Sequence, residues 1–136
     1  MVLIDTSVWL FALKKNFHPI IKDRIENLLL TDEVAINGLI RLELLGGART
    51  EVEYRRLEER LDSLYYIAAT KPLWDTASKL AFDLRREGIT APHTDIFIAA
   101  SALKENALLL HADAHFDLVS KHCGLKVESL ASFIHL

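Results

Sequence analysis

Two short runs of consecutive apolar residues place the strongest constraint on the fold of this 136-residue chain. Val2-Leu3-Ile4 and Leu108-Leu109-Leu110 have the length of strands, and neither alternates with polar residues as a half-exposed strand does. Strands that are apolar on both faces are typical of parallel sheets covered by helices on each side. These runs therefore predict buried strands of an α/β protein.

Further strands and helices alternate along the rest of the chain. Additional strands are expected at residues 34–36, 65–67 and 125–127. Thr6 and Ser7 are natural N-cap residues for the first helix, and Trp74 is expected on the buried side of a later one. The remaining helices are expected at residues 19–30, 39–46, 51–64, 72–88, 96–104 and 114–122. This alternation predicts a three-layer α/β sandwich with a parallel sheet.

Composition and charge narrow the class of protein. The chain is 51% hydrophobic and 26% charged, which is typical of an ordinary globular protein, and residues 1–136 are expected to form one domain. The single cysteine, Cys123, excludes an intrachain disulfide and a zinc site built from cysteines. No segment approaches the roughly 18 apolar residues of a membrane span, and the N-terminal residues, which have an acid at position 5 and no basic region, are not expected to be a secretory signal. We therefore expect a soluble, cytoplasmic protein without a membrane partner.

The formal net charge of −3 argues weakly against nucleic-acid binding, because proteins that bind phosphate backbones are usually basic. Acids gathered around metal ions, however, make the total negative while the loaded site becomes cationic. Basic pairs also occur at residues 14–15, 55–56 and 85–86. The acidic balance does not exclude a nucleic-acid substrate.

Four acidic residues occupy positions where a ligand site can form. Asp5 directly follows the first predicted strand and Asp113 follows the 108–110 strand, and ligands of parallel α/β sheets bind beyond these strand ends. Asp95 begins an apolar helix, and Glu43 lies in a helical segment so apolar that its carboxylate is expected near an interior face. Taken singly, each is better explained as a helix-terminal or surface acid than as a functional residue. Taken together, four converging carboxylates would repel one another unless hard cations such as Mg²⁺ or Mn²⁺ bound between them.

The segments around these acids resemble the motifs of the PIN domain family, and within it the VapC-type toxins of bacterial and archaeal toxin–antitoxin pairs. The resemblance covers nearly the whole chain, with the motifs in the same order and at suitable spacing. The matching segments are Leu3-Ile4-Asp5-Thr6-Ser7-Val8-Trp9, Leu42-Glu43-Leu44-Leu45-Gly46-Gly47-Ala48, Thr94-Asp95-Ile96-Phe97-Ile98-Ala99-Ala100-Ser101-Ala102 and Ala112-Asp113-Ala114-His115-Phe116-Asp117.

The resemblance implies a PIN-like fold with a parallel sheet of about five strands and a Mg²⁺-dependent endoribonuclease, for which Mn²⁺ can substitute. It implies that the catalytic and metal-binding residues are Asp5, Glu43, Asp95 and Asp113. Asp117 resembles a further acid near the metals, and Ser7 a supporting hydroxyl that orients the ligands.

The resemblance further implies an RNA substrate cleaved to 5′-phosphate and 3′-hydroxyl ends, a homodimer, and a small cognate antitoxin whose tail enters the acidic groove. His111 departs from the pattern, since many relatives have Thr or another small polar residue before this acid.

Other interpretations stay open at this point. His111 and His115 have the i, i+4 spacing of a helical zinc site, and His115 alone is a candidate phosphate contact. An aspartyl phosphatase would need an acid where Ser7 stands. The remaining alternatives are a PIN-type nuclease of RNA processing or of structured DNA, and a regulatory binding module without catalysis.

Overall fold

Five parallel strands form one sheet in the part of the chain that this computed structural model describes, residues 1–13 and 18–134. The basic pair at residues 14–15 lies outside that part. The strands, which pair in the order β3-β2-β1-β4-β5, are β1 (Val2–Ile4), β2 (Val34–Asn37), β3 (Tyr65–Ile67), β4 (Leu108–His111) and β5 (Lys126–Ser129). The predicted parallel α/β sheet is confirmed.

Helices follow each strand and cover the sheet. They are α1 (Thr6–Ala12), α2 (Pro19–Thr31), α3 (Gly38–Gly46), α4 (Glu51–Asp62), α5 (Lys71–Arg86), α6 (His93–Lys104), α7 (Ala114–Ser120) and α8 (Ala131–Ile134). None of these described helices is long and apolar enough to cross a membrane.

The central strand β1 pairs with β2 on one side and with β4 on the other, so that Val2 lies between Val34 and Leu108. All three residues of β1 are fully buried, as their unbroken apolar run predicts. The chain builds the sheet outward from β1 through β2 to β3 and then continues on the other side of β1 with β4 and β5. The direction of winding therefore changes between β1 and β4, and a crevice opens beyond the carboxyl ends of these two strands.

Several sequence-based boundaries are wrong by a small margin. The N-cap of α1 is Asp5 rather than Thr6 or Ser7, because the Asp5 carboxylate can accept the free N–H of Ser7. Strand β5 begins one residue later than predicted, at Lys126. Helices α4 and α7 end two residues earlier than predicted.

Trp74 was expected in the core, and its side chain is instead 52% exposed. The apolar residues of α5 offer two overlapping helical stripes, and the fold buries the one that contains Leu73. Trp74 then lies at the edge, with its ring 4.4 Å from the ring of Phe97 on α6.

Candidate metal centre

Asp5 lies at the carboxyl end of the central strand, and its side chain is almost completely buried. Its backbone N–H donates to the carbonyl of Leu110, so the β1–β4 pairing extends up to the carboxylate. The Ser7 hydroxyl donates to Asp5 Oδ2 at 2.6 Å, and the Ser7 backbone N–H donates to the same oxygen at 3.3 Å. Burial raises the pKa of Asp5, and the hydrogen bonds from Ser7 oppose that rise. Ser7 therefore fixes the orientation of a carboxylate that is costly to bury.

Asp113 is the N-cap of α7, two residues beyond the end of β4. Its Oδ1 accepts the backbone N–H of His115 at 2.9 Å, and its own backbone N–H donates to His111 Nδ1 at 3.1 Å. Since β4 pairs with β1 in parallel, Asp113 and Asp5 follow neighbouring strands at the same end of the sheet. The expected pair of acids at adjacent strand ends is present.

Asp95 lies in the first turn of α6. Pro92 is the N-cap of this helix, and no side chain caps it, so Asp95 does not serve as a cap. Burial, and after it the charges of Asp113 and Asp5, raises the pKa of Asp95 to about 6. That pKa already includes a lowering by the charge of His115 and a smaller rise from the charge of Glu43. Asp95 therefore lies within electrostatic reach of the other three predicted acids.

Glu43 differs from the expectation that its carboxylate lies near an interior face, because its side chain is exposed. Helix α3 buries Ile40, Leu44 and Leu45, and the turn of the helix puts Glu43 outside that stripe. Its Oε1 accepts a hydrogen bond from the Thr6 hydroxyl at 3.2 Å, which joins α3 to the start of α1. Glu43 thus lies at the rim of the crevice.

Asp117 interacts with His111, which is completely buried at the end of β4. Because His111 Nδ1 accepts the Asp113 N–H, its Nε2 carries the hydrogen and donates to Asp117 Oδ1 at 3.1 Å. Both ring nitrogens of His111 are therefore engaged. A role for Asp117 beside the metals stays a prediction.

The two histidines with i, i+4 spacing do not form a helical metal-binding pair, because His111 belongs to β4 and His115 to α7. His115 instead faces the acids: its Nδ1 lies 3.0 Å from Asp113 Oδ1 and 3.5 Å from Asp95 Oδ2. The sequence suggests His115 either as a partner of His111 in a zinc site or as a phosphate contact, and it does not predict this position beside Asp95 and Asp113. The available signal was its place two residues after Asp113, where a helix start carries the side chain back over its N-cap.

The donor set fits a divalent cation. One ligand-capable atom each from Asp95, Asp113 and His115 lies within 4.8 Å of the other two. In the described part of the chain, no Lys or Arg forms an ion pair with Asp5, Glu43, Asp95 or Asp113. Carboxylate oxygens suit Mg²⁺, Mn²⁺ and similar hard ions, and an imidazole nitrogen is a ligand of transition-metal ions. Among the described residues, the crevice is thus a negatively charged site that no Lys or Arg neutralises by an ion pair.

The sequence of this chain is similar to one family of known proteins. The model of the PIN domain family matches residues 2–122. Ribonuclease VapC51 of Mycobacterium tuberculosis is 30% identical over 125 residues, which cover 90% of this chain and 87% of that protein. Ribonuclease VapC11 of the same species is 28% identical over 133 residues, covering 95% and 98% of the two chains.

A solved structure shows the same fold. VapBC2 from Rickettsia felis, bound to a DNA fragment from the promoter, superimposes with a TM-score of 0.79 at 22% identity, covering 95% of this chain and 98% of that chain. Two observations therefore point to the same family. One is the parallel five-stranded sheet with acids at the ends of β1 and β4, and the other is the match of the family model along the sequence. The chain belongs to the PIN domain family.

Proposed function

We propose that this protein is a divalent-metal-dependent endoribonuclease and the toxin of a type II toxin–antitoxin pair. The observation that carries the proposal is the convergence of Asp5, Asp95 and Asp113 on the crevice between β1 and β4, with Glu43 at its rim. The relatives in sequence are ribonucleases by name, which supports RNA as the substrate.

Asp5, Asp95, Asp113 and Glu43 would hold Mg²⁺, or Mn²⁺ in its place. When bound, such a cation supplies an acidified water and a positive charge against the negative charge that develops on the phosphate. Ser7 keeps Asp5 Oδ2 in one orientation, and Thr6 does the same for Glu43 Oε1. Asp95, with a pKa of about 6, must give up its proton to become a ligand. The products would carry 5′-phosphate and 3′-hydroxyl ends.

We further propose a cognate antitoxin, a homodimer and a cytoplasmic location, with residues 1–136 as one PIN domain. Apolar side chains left exposed support protein partners: Leu30 on α2 is 86% exposed, and Val52 on α4 is 59% exposed. An apolar groove of about 420 Å³ also runs between α3 and α6, with Leu42 and Trp74 in its lining. Light scattering that shows a strict monomer, unchanged by a small protein encoded beside its gene, would contradict both partners.

The proposed activity is tested by incubating the purified protein with a mixed-sequence single-stranded RNA. Cleavage is expected with Mg²⁺ or Mn²⁺ and is expected to stop with excess EDTA. Replacing Asp5, Asp95 or Asp113 with Asn should abolish turnover, and Glu43→Gln should nearly do so. Asp83→Asn is the matched control, since Asp83 is an exposed carboxylate paired with Lys79 on α5. Undiminished cleavage in EDTA, or near-normal rates in two of the four variants, would overturn the proposal.

A further inference from the structure

We propose that His115 is a nitrogen ligand of this metal centre and that it makes the site prefer Mn²⁺ over Mg²⁺. The inference rests on the proposed metal-dependent function and adds to it a ligand outside the four acids, together with the choice of cation.

The first argument is the spacing of the donor atoms. His115 Nδ1 lies 3.0 Å from Asp113 Oδ1 and 3.5 Å from Asp95 Oδ2. Two ligands at right angles around a cation, each with a bond of about 2.1 Å, are about 3.0 Å apart. The separation between His115 Nδ1 and Asp113 Oδ1 therefore matches that of two ligands sharing one ion. The separation from Asp95 Oδ2 is about half an ångström longer, and one ligand atom of each of the three residues lies within 4.8 Å of the other two.

The second argument concerns what brings the ring to this place. The proximity of His115 to Asp113 is local, because the backbone N–H of His115 donates to the same Oδ1 that its ring approaches. The approach to Asp95 is not local, since Asp95 lies on α6, which packs against α7. The His115 side chain is 50% exposed, so packing does not force the ring against both acids.

An ion pair between a protonated His115 and the two acids would give the same arrangement without metal. The two explanations differ once a cation arrives. A counter-ion competes with the metal, so removing it leaves the affinity unchanged or raises it. A ligand contributes a bond, so removing it lowers the affinity, and lowers it more for ions that accept nitrogen. Mg²⁺ strongly prefers oxygen ligands, whereas imidazole suits the transition metals.

The experiment measures cation binding directly, without RNA. Calorimetric titrations with MnCl₂ and with MgCl₂ are carried out on the native protein, His115→Ala and His122→Ala. His122 is an exposed histidine just beyond α7 and serves as the matched control. We expect His115→Ala to raise the Kd for Mn²⁺ about tenfold or more, and the Kd for Mg²⁺ by a clearly smaller factor. His122→Ala should bind both ions as the native protein does.

A spectroscopic measurement keeps the inference testable if the variant folds poorly. Pulsed electron paramagnetic resonance of the Mn²⁺-loaded native protein should show coupling to a directly bonded ¹⁴N, and His115→Ala should lack it. Mn²⁺ that binds in an Asp95-dependent manner without nitrogen coupling overturns the role of His115 and leaves the four-acid metal site standing. So does unchanged or tighter Mn²⁺ binding in a folded His115→Ala. Failure of either cation to bind the native protein overturns both this inference and the proposed metal-dependent function.

Discussion

The buried imidazole of His111 accepts a hydrogen bond from the backbone N–H of Asp113 at 3.1 Å. This bond holds Asp113, one of the four predicted metal-binding acids, close to the end of β4. The opposite ring nitrogen donates to Asp117, so a single side chain with no solvent exposure holds both the Asp113 backbone and the first turn of α7. Where many relatives are expected to have a small polar residue, this chain uses a large ring with two hydrogen bonds.

The first prediction concerns the stability that this ring provides. His111→Ala should lower the free energy of unfolding by about 2–4 kcal/mol, because it leaves a cavity and an unpaired N–H at Asp113. Urea denaturation followed by circular dichroism measures the change. His122→Ala, which removes an exposed histidine, should change it by less than about 0.5 kcal/mol. A loss below about 1 kcal/mol in His111→Ala would show that the two hydrogen bonds contribute little.

The second prediction concerns the repulsion at Asp95. In EDTA at neutral pH, Asp95→Asn should melt at a higher temperature than the native protein, since it removes a partly buried carboxylate that lies near other acids. In Mn²⁺ the native protein should gain more than the variant, because a cation that binds the folded state stabilises it. Paired melting curves with EDTA and with Mn²⁺ measure both effects. If the variant melts at a lower temperature than the native protein in EDTA, Asp95 stabilises the fold as a negative charge at the N-terminus of α6, and the predicted repulsion is wrong.

The third prediction follows from the pH dependence of the same carboxyl. The folded pKa of Asp95 is about 6, above its ordinary 3.8, so between these values the folded state binds the proton more tightly than the unfolded state does. Stability is therefore lost as pH rises through this window, and the whole cost of the charge is present above about pH 6. In EDTA, the advantage of Asp95→Asn should be largest above about pH 7, should shrink as the pH falls below about 6, and should disappear below about pH 4, where Asp95 is neutral in both the folded and the unfolded state. A constant advantage across this range would assign the effect to something other than charge.

The fourth prediction separates the two roles of Asp5. Asp5→Asn keeps an oxygen that can accept the Ser7 N–H, whereas Asp5→Ala removes the cap of α1. We expect Asp5→Ala to be less stable than Asp5→Asn by about 1 kcal/mol, and both to lack RNA cleavage. Denaturation curves and the RNA assay are run on the same preparations. Equal stability of the two variants would mean that the cap contributes nothing measurable.

The fifth prediction tests whether the exposed Glu43 needs its partner. Thr6→Val preserves the shape of a buried side chain and removes the hydroxyl that donates to Glu43 Oε1. RNA cleavage should fall by about tenfold or more, because a ligand that loses its orienting hydrogen bond holds the cation less well. Thr31→Val is the control, since its exposed hydroxyl bonds only to the carbonyl of Asn27 among the contacts of the described residues. If Thr6→Val cleaves RNA at the native rate, the orientation of the Glu43 carboxylate does not depend on the Thr6 hydroxyl.

The sequence by itself determines the sheet and the strand-end acids. Val2-Leu3-Ile4 and Leu108-Leu109-Leu110 have to be buried on both faces, and a parallel sheet between helices provides that environment. Asp5 and Asp113 follow these strands directly or within a few residues, so adjacent strands bring them together once β1 pairs with β4. Local chemistry also determines several helix starts, as Thr70 before α5 and Asn37 before α3 illustrate by capping a backbone N–H.

Only the tertiary structure decides which face of each helix meets the sheet and where helices from distant parts of the chain meet. That choice exposes Glu43 and Trp74, which apolar neighbours along the sequence suggested were buried. It also brings His115 on α7 against Asp95 on α6, a contact that depends on the packing of two helices. The apolar periodicity of a helix is compatible with more than one buried face. The spacing of residues along the sequence does not show how two helices pack against each other. The sequence therefore predicts which acids follow the strand ends, whereas only the fold determines that His115 lies against Asp95.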